Sequence, residues 1–307
     1  MDFLLYVSAS SMVFLIQSLP LQWTARLGRA GGWVAWCLDR RHRTVALRNL
    51  TQCLGNEKTP SEIRSIAREN MMRIGEAFAC GIKTSSMSLA QLKRHMRFVN
   101  MDRLARKVAS APERNRVIAV GHFGNFELYA RFPEVAPGFR SATTYRGLDQ
   151  PGLDRVMQRL REKSHACLYF ERRRDAAALR DQMRTTKMVL GLLADQNAGQ
   201  SGIVLPFFGR PCSTTSAPAL FALRYGCTLH TAICYRIALA QWEIIVGEEI
   251  PTHHENGAPR SKEEIMLDVN RSLETAIRRD PANWFWVHNR WKPGMGRIPR
   301  SARRVEA

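Results

Sequence analysis

Short apolar runs alternate with segments of helical periodicity through the centre of the chain, and this alternation restricts the fold more than any other feature. The apolar runs predict buried strands over residues 117–120, 167–170, 188–194, 229–237 and 242–246. Helical spacing falls between several of these runs, over residues 152–163, 175–185 and 217–225. Strands that alternate with helices build parallel sheets. We therefore predict an α/β fold with a mixed, largely parallel central sheet flanked by helices.

Two helix starts can be recognised from their capping residues. Thr59 precedes Pro60 and stands three residues before Glu62, and Ser261 stands three residues before Glu264. A hydroxyl at the N-cap and a glutamate at the third helical position satisfy each other's backbone N–H groups. The sequence therefore predicts helices that begin at these two points.

The N-terminal stretch from residue 3 to 25 contains no charged side chain, and Pro20 divides it. Its helical part, residues 3–19, would be roughly 25 Å long at about 1.5 Å per residue, against a hydrocarbon core of about 30 Å. A spanning helix and a helix lying in the membrane interface are both compatible with this length, and a buried core helix is a third alternative. We assign residues 1–25 to an N-terminal membrane-anchoring helix and residues 26–307 to a single α/β domain.

Basic residues outnumber acidic ones, with 46 Lys and Arg against 27 Asp and Glu, for a net charge of +19. Such a chain is expected to bind polyanions: nucleic acid, anionic lipid headgroups or phosphorylated substrates. Six arginines follow the uncharged stretch, and the positive-inside rule places their side in the cytoplasm: Arg26, Arg29, Arg40, Arg41, Arg43 and Arg48. Because of this net charge, a nucleic-acid-binding protein is kept as the rival interpretation. Against it, the other arginines are dispersed and no nucleic-acid motif is present.

The segment with the clearest chemical pattern is residues 121–127, with sequence GHFGNFE, directly after the predicted strand 117–120. The strand delivers His122 to a glycine-rich turn, and a helix that begins near Asn125 would place Glu127 in its first turn. A carboxylate at this spacing can orient one imidazole nitrogen and leave the other to accept a proton from a substrate hydroxyl. No serine or cysteine occupies a nucleophile-elbow position. The pattern favours direct attack by an activated alcohol, although a structural histidine remains an alternative.

Four blocks in register resemble the bacterial lipid A late acyltransferase family, the lauroyl and myristoyl acyltransferases of the H-x4-E superfamily. GHFGNFE resembles its G-H-x-G-N-x-E motif. YRGLDQP at 145–151 resembles its Y-R-P-L-D-N-P block, with Gly147 in place of the usual proline. The other two blocks are ADQ at 194–196 followed by PFFG at 206–209, and WFWVHNRWK at 284–292.

This resemblance implies transfer of a fatty acyl chain from a thioester donor to a hydroxyl of a lipid A precursor. His122 would be the general base, assisted by Glu127. Substrate binding or oxyanion stabilisation would fall to Arg159, Asp195, Arg146 and Asn125, and Phe207 and Phe208 would line the acyl channel. Asp195 also ends a predicted strand, where α/β sites gather, and it could orient a basic group. His288 and Arg290 alternate with tryptophans and could share one face of a strand.

The resemblance also implies the partners and the location. These are acyl carrier protein, a membrane glycolipid and the bacterial inner membrane at its cytoplasmic face, in lipopolysaccharide biosynthesis. Neither a cofactor nor a metal is expected, because a thioester is already activated and the seven cysteines are scattered without a C-x-x-C pair. Three alternatives stay open: acylation of another glycolipid or phospholipid, as in mannoside-lipid acyltransferases; coenzyme A as the donor; and an inactive membrane scaffold.

Overall fold

The computed structural model describes residues 2–105, 115–134, 140–162 and 167–292, and a seven-stranded sheet forms its centre. The strands are β1 (Met96–Val99), β2 (Arg116–Val120), β3 (Arg140–Tyr145), β4 (Cys167–Glu171), β5 (Met188–Leu193), β6 (Ile203–Phe207), β7 (Arg210–Thr214), β8 (Thr228–Ala238) and β9 (Gln241–Glu249). Of these, β6 and β7 form a separate hairpin outside the seven-stranded sheet. The order across the sheet is β1-β9-β8-β2-β5-β3-β4, and every neighbouring pair is parallel except β8 and β9. The predicted mixed, largely parallel α/β sheet is confirmed.

Helices flank this sheet and make up most of the N-terminal third. They are α1 (Asp2–Ser18), α2 (Leu21–Leu38), α3 (Arg40–Leu54), α4 (Pro60–Thr84), α5 (Leu89–Leu92), α6 (Asp102–Ala105), α7 (Pro151–Glu162), α8 (Ala176–Thr185), α9 (Ala217–Tyr225) and α10 (Lys262–Arg279). Both predicted capping boxes form, at Thr59 with Glu62 and at Ser261 with Glu264. Gly226 ends α9 with a φ of 61°, the left-handed conformation that glycine adopts at little cost.

The central strands are buried on both faces, which explains why they are continuous apolar runs in the sequence. All five residues of β2 are buried. Val117 and Ala119 belong to the hydrophobic cluster on one face of the sheet, and Ile118 and Val120 belong to the cluster on the other. The residues after β2 therefore lie at a sheet edge between two packed layers.

The N-terminal region differs from the prediction. Among the described residues, no helix is both long and apolar enough to cross a bilayer, so a spanning N-terminal anchor is not supported. The predicted boundary at residue 25 falls inside α2, where Leu21 and Ala25 are buried in the core. Gln17 of α1 donates hydrogen bonds to the Ile82 carbonyl and to Ser85 at the end of α4, so α1 is fixed to the domain.

The C-terminal block is also different from the predicted strand. A 3₁₀ turn covers Pro281–Asn283, and Trp284 makes only an isolated bridge to Phe123 within the described chain. Trp284 and Trp286 are fully buried, with ring centroids 4.7 Å apart. The two indoles bury a large apolar area and so hold this segment in the core, although its backbone forms no regular helix or strand.

Candidate active site

His122 and Asp195 meet at the carboxyl edge of the sheet, where α/β sites usually form. His122 follows β2 by two residues and Asp195 follows β5 by two residues, and these strands are parallel neighbours. The Ala194 N–H donates to the Val120 carbonyl at 2.9 Å, which continues the ladder up to the two side chains. The pair is therefore positioned by the most deeply buried part of the fold.

Asp195 holds both the ring and the backbone of His122. Its Oδ1 lies 2.9 Å from Nδ1 of the imidazole, and its Oδ2 accepts the His122 backbone N–H at 2.8 Å. Phe126 and Phe285 pack on the ring with centroids 4.9 and 5.7 Å away. The imidazole is thus fixed in orientation, and Nε2 is the nitrogen left to exchange a proton with a substrate.

The charge on Asp195 is retained although the side chain is only 1% exposed. Burial alone would raise the pKa of this carboxyl, but the charge and hydrogen bonds of His122, with a bond from Trp284, lower the pKa to about 2. Trp284 Nε1 donates to Oδ2 at 2.8 Å. A permanently ionised carboxylate beside Nδ1 stabilises the imidazolium that forms when Nε2 takes a proton.

Two glycines explain the local sequence around His122. A Cβ on Gly121 would lie 2.6 Å from the Phe123 ring and 3.2 Å from the Asp195 carboxyl carbon. Gly124 has a φ of 50°, and a Cβ there would lie 2.7 Å from the Cys234 carbonyl oxygen. The turn after β2 can approach Asp195 and β8 only because these positions lack side chains.

A cavity of about 630 Å³, here called the front cavity, opens beside His122. Polar residues of its wall include His122, Glu127, Tyr145, Arg146, Arg161 and Gln196. Its apolar wall is built on one face of the sheet and includes Phe98, Ile118, Val120, Phe132, Val189, Ile244 and Val246. A cavity of this size that combines polar groups with an apolar wall is typical of a small-molecule site, and its apolar wall is suited to a hydrocarbon chain.

Glu127 lines the front cavity but does not hold His122 as the sequence predicted. Its carboxylate is ion-paired with Arg161 at 3.8 Å, and Asp195 occupies Nδ1 of His122 instead. Glu127 lies in the first turn of a 3₁₀ helix, Phe126–Glu134. The guanidinium of Arg161 also lies over the rings of Tyr145 and Tyr169, at 4.9 and 5.5 Å. Glu127 and Arg161 therefore form a charged pair on the cavity wall.

Three other predicted polar residues have different positions. Arg159 faces α1, where it contacts the Tyr6 hydroxyl and lies 5.2 Å from the Tyr6 ring, so Arg161 is the arginine of α7 that reaches the cavity. Arg146 lines the cavity mouth and is largely exposed, with Asp149 at 3.8 Å. Asn125 is 1% exposed and donates to the Thr84 hydroxyl at 3.3 Å, which ties the turn after β2 to α4.

Phe207 and Phe208 belong to the core and do not line the front cavity. Phe207 ends β6 and packs on Trp284 and Trp291, with centroids 5.6 and 5.8 Å away. Phe208 has a φ of 52° at the hairpin turn and packs on Trp286 at 6.2 Å. The apolar wall of the front cavity comes from β2, β5 and β9 instead, so the two rings that the resemblance assigns to an acyl channel lie outside this cavity.

Gln196 belongs to the ADQ block but is not among the predicted site residues, and its Nε2 lies 3.4 Å from Nε2 of His122. Its loop is fixed by the C-terminal block. Arg290 is fully buried and donates to the Gln196 carbonyl at 2.7 Å, and the Asn197 N–H donates to Nε2 of His288 at 3.0 Å. His288 and Arg290 therefore hold the backbone of Gln196 and Asn197 in place beside His122.

Within the described ranges, no cluster of three or more His, Cys, Asp or Glu side chains is arranged to hold a metal ion. The seven cysteines are free thiols, four of them buried, and burial raises the pKa of the half-buried Cys53 thiol to about 12.

Fold and site together define an α/β enzyme with a fixed His–Asp pair beside an apolar cavity. Residues 3–293 match the family described as bacterial lipid A biosynthesis acyltransferase, and the chain belongs to this family of acyl-transferring enzymes. The lipid A biosynthesis palmitoleoyltransferase of Escherichia coli (strain K12) is 22% identical over 285 residues, covering 92% of this chain and 89% of that one. The lipid A biosynthesis acyltransferase of Shigella flexneri matches with the same identity and coverage. The family predicted from the sequence motifs is confirmed.

Proposed function

We propose that this enzyme transfers a fatty acyl chain from a carrier-protein thioester to a hydroxyl of a lipid A precursor at the cytoplasmic face of a bacterial inner membrane. The observation that carries the proposal is the imidazole of His122, which lines the front cavity and whose orientation is fixed by two hydrogen bonds to Asp195. A base fixed beside an apolar cavity brings a reacting alcohol and a hydrocarbon-linked carbonyl to one point.

The proposed reaction uses one proton and no covalent enzyme intermediate. Nε2 of His122 takes the proton from the acceptor hydroxyl as its oxygen attacks the thioester carbonyl carbon. The imidazolium is stabilised by Asp195, 2.9 Å from Nδ1. When the carbon–sulfur bond of the tetrahedral intermediate breaks, the imidazolium returns the proton to the departing thiolate. The products are an ester and the free carrier thiol.

Charge that develops on the carbonyl oxygen needs a donor, and the cavity wall offers two. Arg161 is held by Glu127 and by two tyrosine rings, and Gln196 presents its amide beside Nε2 of His122. We propose that Arg161, Gln196 or both stabilise the oxyanion, a contribution worth roughly 3–4 kcal/mol for one well-placed donor. Glu127 then serves as the positioning residue of Arg161.

The donor chain is proposed to occupy the apolar wall of the front cavity. Ile118 and Val120 from β2, Val189 from β5 and Val246 from β9 face it, and Phe98 and Phe132 pack edge to face, 6.0 Å apart. A hydrocarbon chain placed there loses contact with water along its length, which favours binding by about 25 cal/mol per Å². The carbonyl at the end of the chain would then lie among the polar residues of the mouth.

Membrane attachment is proposed to occur through α1 and α2 lying at the interface. Phe3 and Phe14 of α1 are each 72% exposed, and they lie three turns apart on one face. On α2, Trp23 and Leu27 are 58% and 57% exposed, in a stripe that continues to Leu38. Exposed apolar stripes beside a basic surface favour anionic membranes.

This attachment can be tested by vesicle sedimentation. The double variant Phe3→Ser with Phe14→Ser should bind mixed phosphatidylethanolamine and phosphatidylglycerol vesicles at least tenfold more weakly. Ile237→Ser removes an apolar side chain that is 50% exposed on β8 and should leave binding unchanged. Equal binding by both variants would contradict an interfacial role for α1.

The donor's carrier can be tested by its dependence on salt. Acyl carrier protein is acidic and this chain has a net charge of +19, so association should slow as ionic strength rises. Turnover with the acylated carrier should fall between about 50 and 500 mM salt, while turnover with acyl-coenzyme A at saturation should change less. A rate with the carrier that does not depend on salt would argue for another donor.

The decisive experiment incubates the purified chain with an acylated carrier and a lipid A precursor and measures the product by mass spectrometry. The precursor should gain the mass of one acyl chain. His122→Ala should lower the rate by about 10²- to 10⁴-fold. His254→Ala, in an exposed loop, is the matched control. Absence of the product with wild-type protein, or an unchanged rate in His122→Ala, would refute the proposal.

A further inference from the structure

A second cavity of about 400 Å³, here called the back cavity, lies on the opposite face of the sheet. Its floor is formed by Phe170 of β4 and Leu192 of β5, and its sides by Leu179 of α8 with Leu220 and Phe221 of α9. Leu220 is 49% exposed, so the apolar lining reaches the surface of the protein. This cavity has space and apolar surface for a hydrocarbon chain that the front cavity does not hold.

The mouth of the back cavity is cationic. Arg172, Arg180 and Arg224 line it, and neither Arg180 nor Arg224 is ion-paired with a carboxylate in the described part of the chain. The one carboxylate of the lining, Glu171, is 5% exposed and accepts the backbone N–H groups of residues 173 and 174 at 2.8 and 2.9 Å. Three arginines against this single carboxylate leave the mouth with an excess of positive charge that can bind an anion.

An unpaired hydroxyl marks the same wall. Tyr225 lines the back cavity and stacks on Phe221, with ring centroids 5.7 Å apart. Its hydroxyl is buried and has no hydrogen-bond partner among the described residues. A buried polar group without a partner is uncommon in a folded protein, and a small side-chain movement would be needed for this hydroxyl to reach a ligand in the cavity.

The two cavities meet at the carboxyl edge of the sheet. Thr144, Arg172, Leu193 and Thr215 line both of them. A molecule whose hydrocarbon part lies in the back cavity can therefore extend across this edge towards His122, which lines the front cavity. The edge thus connects a second lipid-sized site with the reacting groups.

We propose that the back cavity binds one acyl chain and an adjoining phosphate of the acceptor glycolipid. The inference rests on the proposed function, in which the front cavity holds the donor chain. The hydrophilic pantetheine arm of a carrier protein would leave Phe170, Leu192 and Phe221 without apolar contacts, whereas an acyl chain covers them. The arginines of the mouth then bind the phosphate through charge-assisted hydrogen bonds.

The first test measures binding without catalysis. Octyl phosphate, used below its micelle concentration, should bind the full-length protein saturably in isothermal titration. Ala176→Trp places an indole at the cavity lining and should weaken binding at least tenfold. Ala177→Trp, one residue further along α8 and outside the lining, is the matched control and should bind as wild type does.

The second test removes arginine side chains at exposed positions, where folding is not at risk. Arg180→Ala combined with Arg224→Ala should raise the KM for the acceptor about three- to tenfold for each arginine. The KM for the donor, and donor hydrolysis by water, should stay within about twofold. Arg184→Ala, exposed on the same helix and outside the lining, should change neither constant.

The outcomes separate this inference from the proposed function. An unchanged acceptor KM in both the Ala176→Trp and the double arginine variants, with transfer intact, would overturn the back cavity as the acceptor site. Octyl phosphate that binds all variants equally would overturn it as well. A wild-type protein that transfers no acyl chain would refute the proposed function instead, and the octyl phosphate titration would still decide whether the back cavity binds an anionic lipid.

Discussion

The Asp195 carboxylate binds His122 twice, at Nδ1 over 2.9 Å and at the backbone N–H over 2.8 Å. One buried group therefore fixes both the tautomer of the ring and the main chain that carries it. Trp284 donates a third hydrogen bond, so Asp195 is fully engaged on the side away from the cavity. This arrangement makes Asp195, rather than Glu127, the residue that orients the His122 ring, which the proposed mechanism uses as its general base.

Replacing Asp195 by Asn should therefore damage catalysis more than binding. The amide keeps the size of the carboxylate but cannot stabilise the imidazolium, and it allows the wrong tautomer of His122. We expect kcat to fall about 10³- to 10⁴-fold with KM changed little. Single-turnover acyl transfer and the melting temperature should be measured on the same samples.

An exposed His–Asp pair on α3 provides the control for this substitution. Asp39 Oδ2 lies 2.6 Å from Nδ1 of His42, far from the front cavity. Asp39→Asn should leave kcat unchanged. A folded Asp195→Asn enzyme with a rate near that of wild type would show that Asp195 does not orient the base.

Glu127 and Arg161 should act as one unit on the cavity wall. Glu127→Gln removes the charge that holds the Arg161 guanidinium, and Arg161→Gln removes the guanidinium itself. If their pairing positions an oxyanion donor, each single variant should lower kcat about 10²-fold or more, and the double variant should be little worse than either. Arg159→Gln, which faces Tyr6 on α1, is the matched control on the same helix.

Additive losses from the two single variants would indicate separate roles for Glu127 and Arg161. A rate for Glu127→Gln near that of wild type would exclude Glu127 from the active site altogether. Melting temperatures distinguish either result from unfolding, because an ion pair that is 20% and 33% exposed contributes little to stability.

The sequence predicted the sheet and the position of His122, because both depend on local patterns. β2 after Arg116 and β5 are continuous runs without polar side chains because most of their residues are buried, and the glycines around His122 are required by one tight turn. The partner of His122 could not be deduced in this way. Asp195 is 73 residues away, and it reaches Nδ1 only because β2 and β5 are neighbours in the sheet.

The differences between the expected and observed positions have similar physical causes. Arg159 and Arg161 are two residues apart on α7, so they point in nearly opposite directions, and only the packing of α1 on α7 decides which one reaches the cavity. Phe207 and Phe208 belong to a hairpin outside the main sheet, whose place in the core the motif does not reveal. The uncharged N-terminal stretch is compatible with a spanning, an interfacial or a core helix, and only the structure shows that α1 lies against α4 and α7 with none of its residues buried.

His288 should make the protein less stable below neutral pH. Burial lowers the pKa of His288 to about 4, and its Nε2 accepts the Asn197 N–H at 3.0 Å. Between pH 6.5 and 4 the His288 imidazole is protonated in the unfolded chain but stays neutral in the folded chain. The stabilising contribution of neutral His288 to the free energy of unfolding is therefore fully present above pH 6.5 and is lost as the pH falls towards 4. The loss should amount to about 2–3 kcal/mol.

Denaturant titrations from pH 4.5 to 7.5 measure this effect. His288→Gln keeps an acceptor for Asn197 but does not titrate, so its free energy of unfolding should fall less steeply with decreasing pH than that of wild type. His230, whose pKa is also lowered by burial, remains in both proteins and contributes equally. Identical slopes for the two proteins would contradict a neutral, buried His288.

Packing of α2 on α4 should depend on Gly32. A Cβ at this position would lie 2.3 Å from the Met71 carbonyl oxygen and 2.6 Å from the Met72 Cα, which are backbone atoms that cannot turn aside. Gly32→Ala should therefore lower the free energy of unfolding by about 2–4 kcal/mol, as the helices are forced apart. Gly31→Ala, where a Cβ meets nothing within 4 Å, should instead raise it by about 0.5–1 kcal/mol, because alanine favours the helix. Chemical denaturation of both variants beside wild type gives the two signs, and a stabilising or neutral Gly32→Ala would show that α2 and α4 are not in close backbone contact.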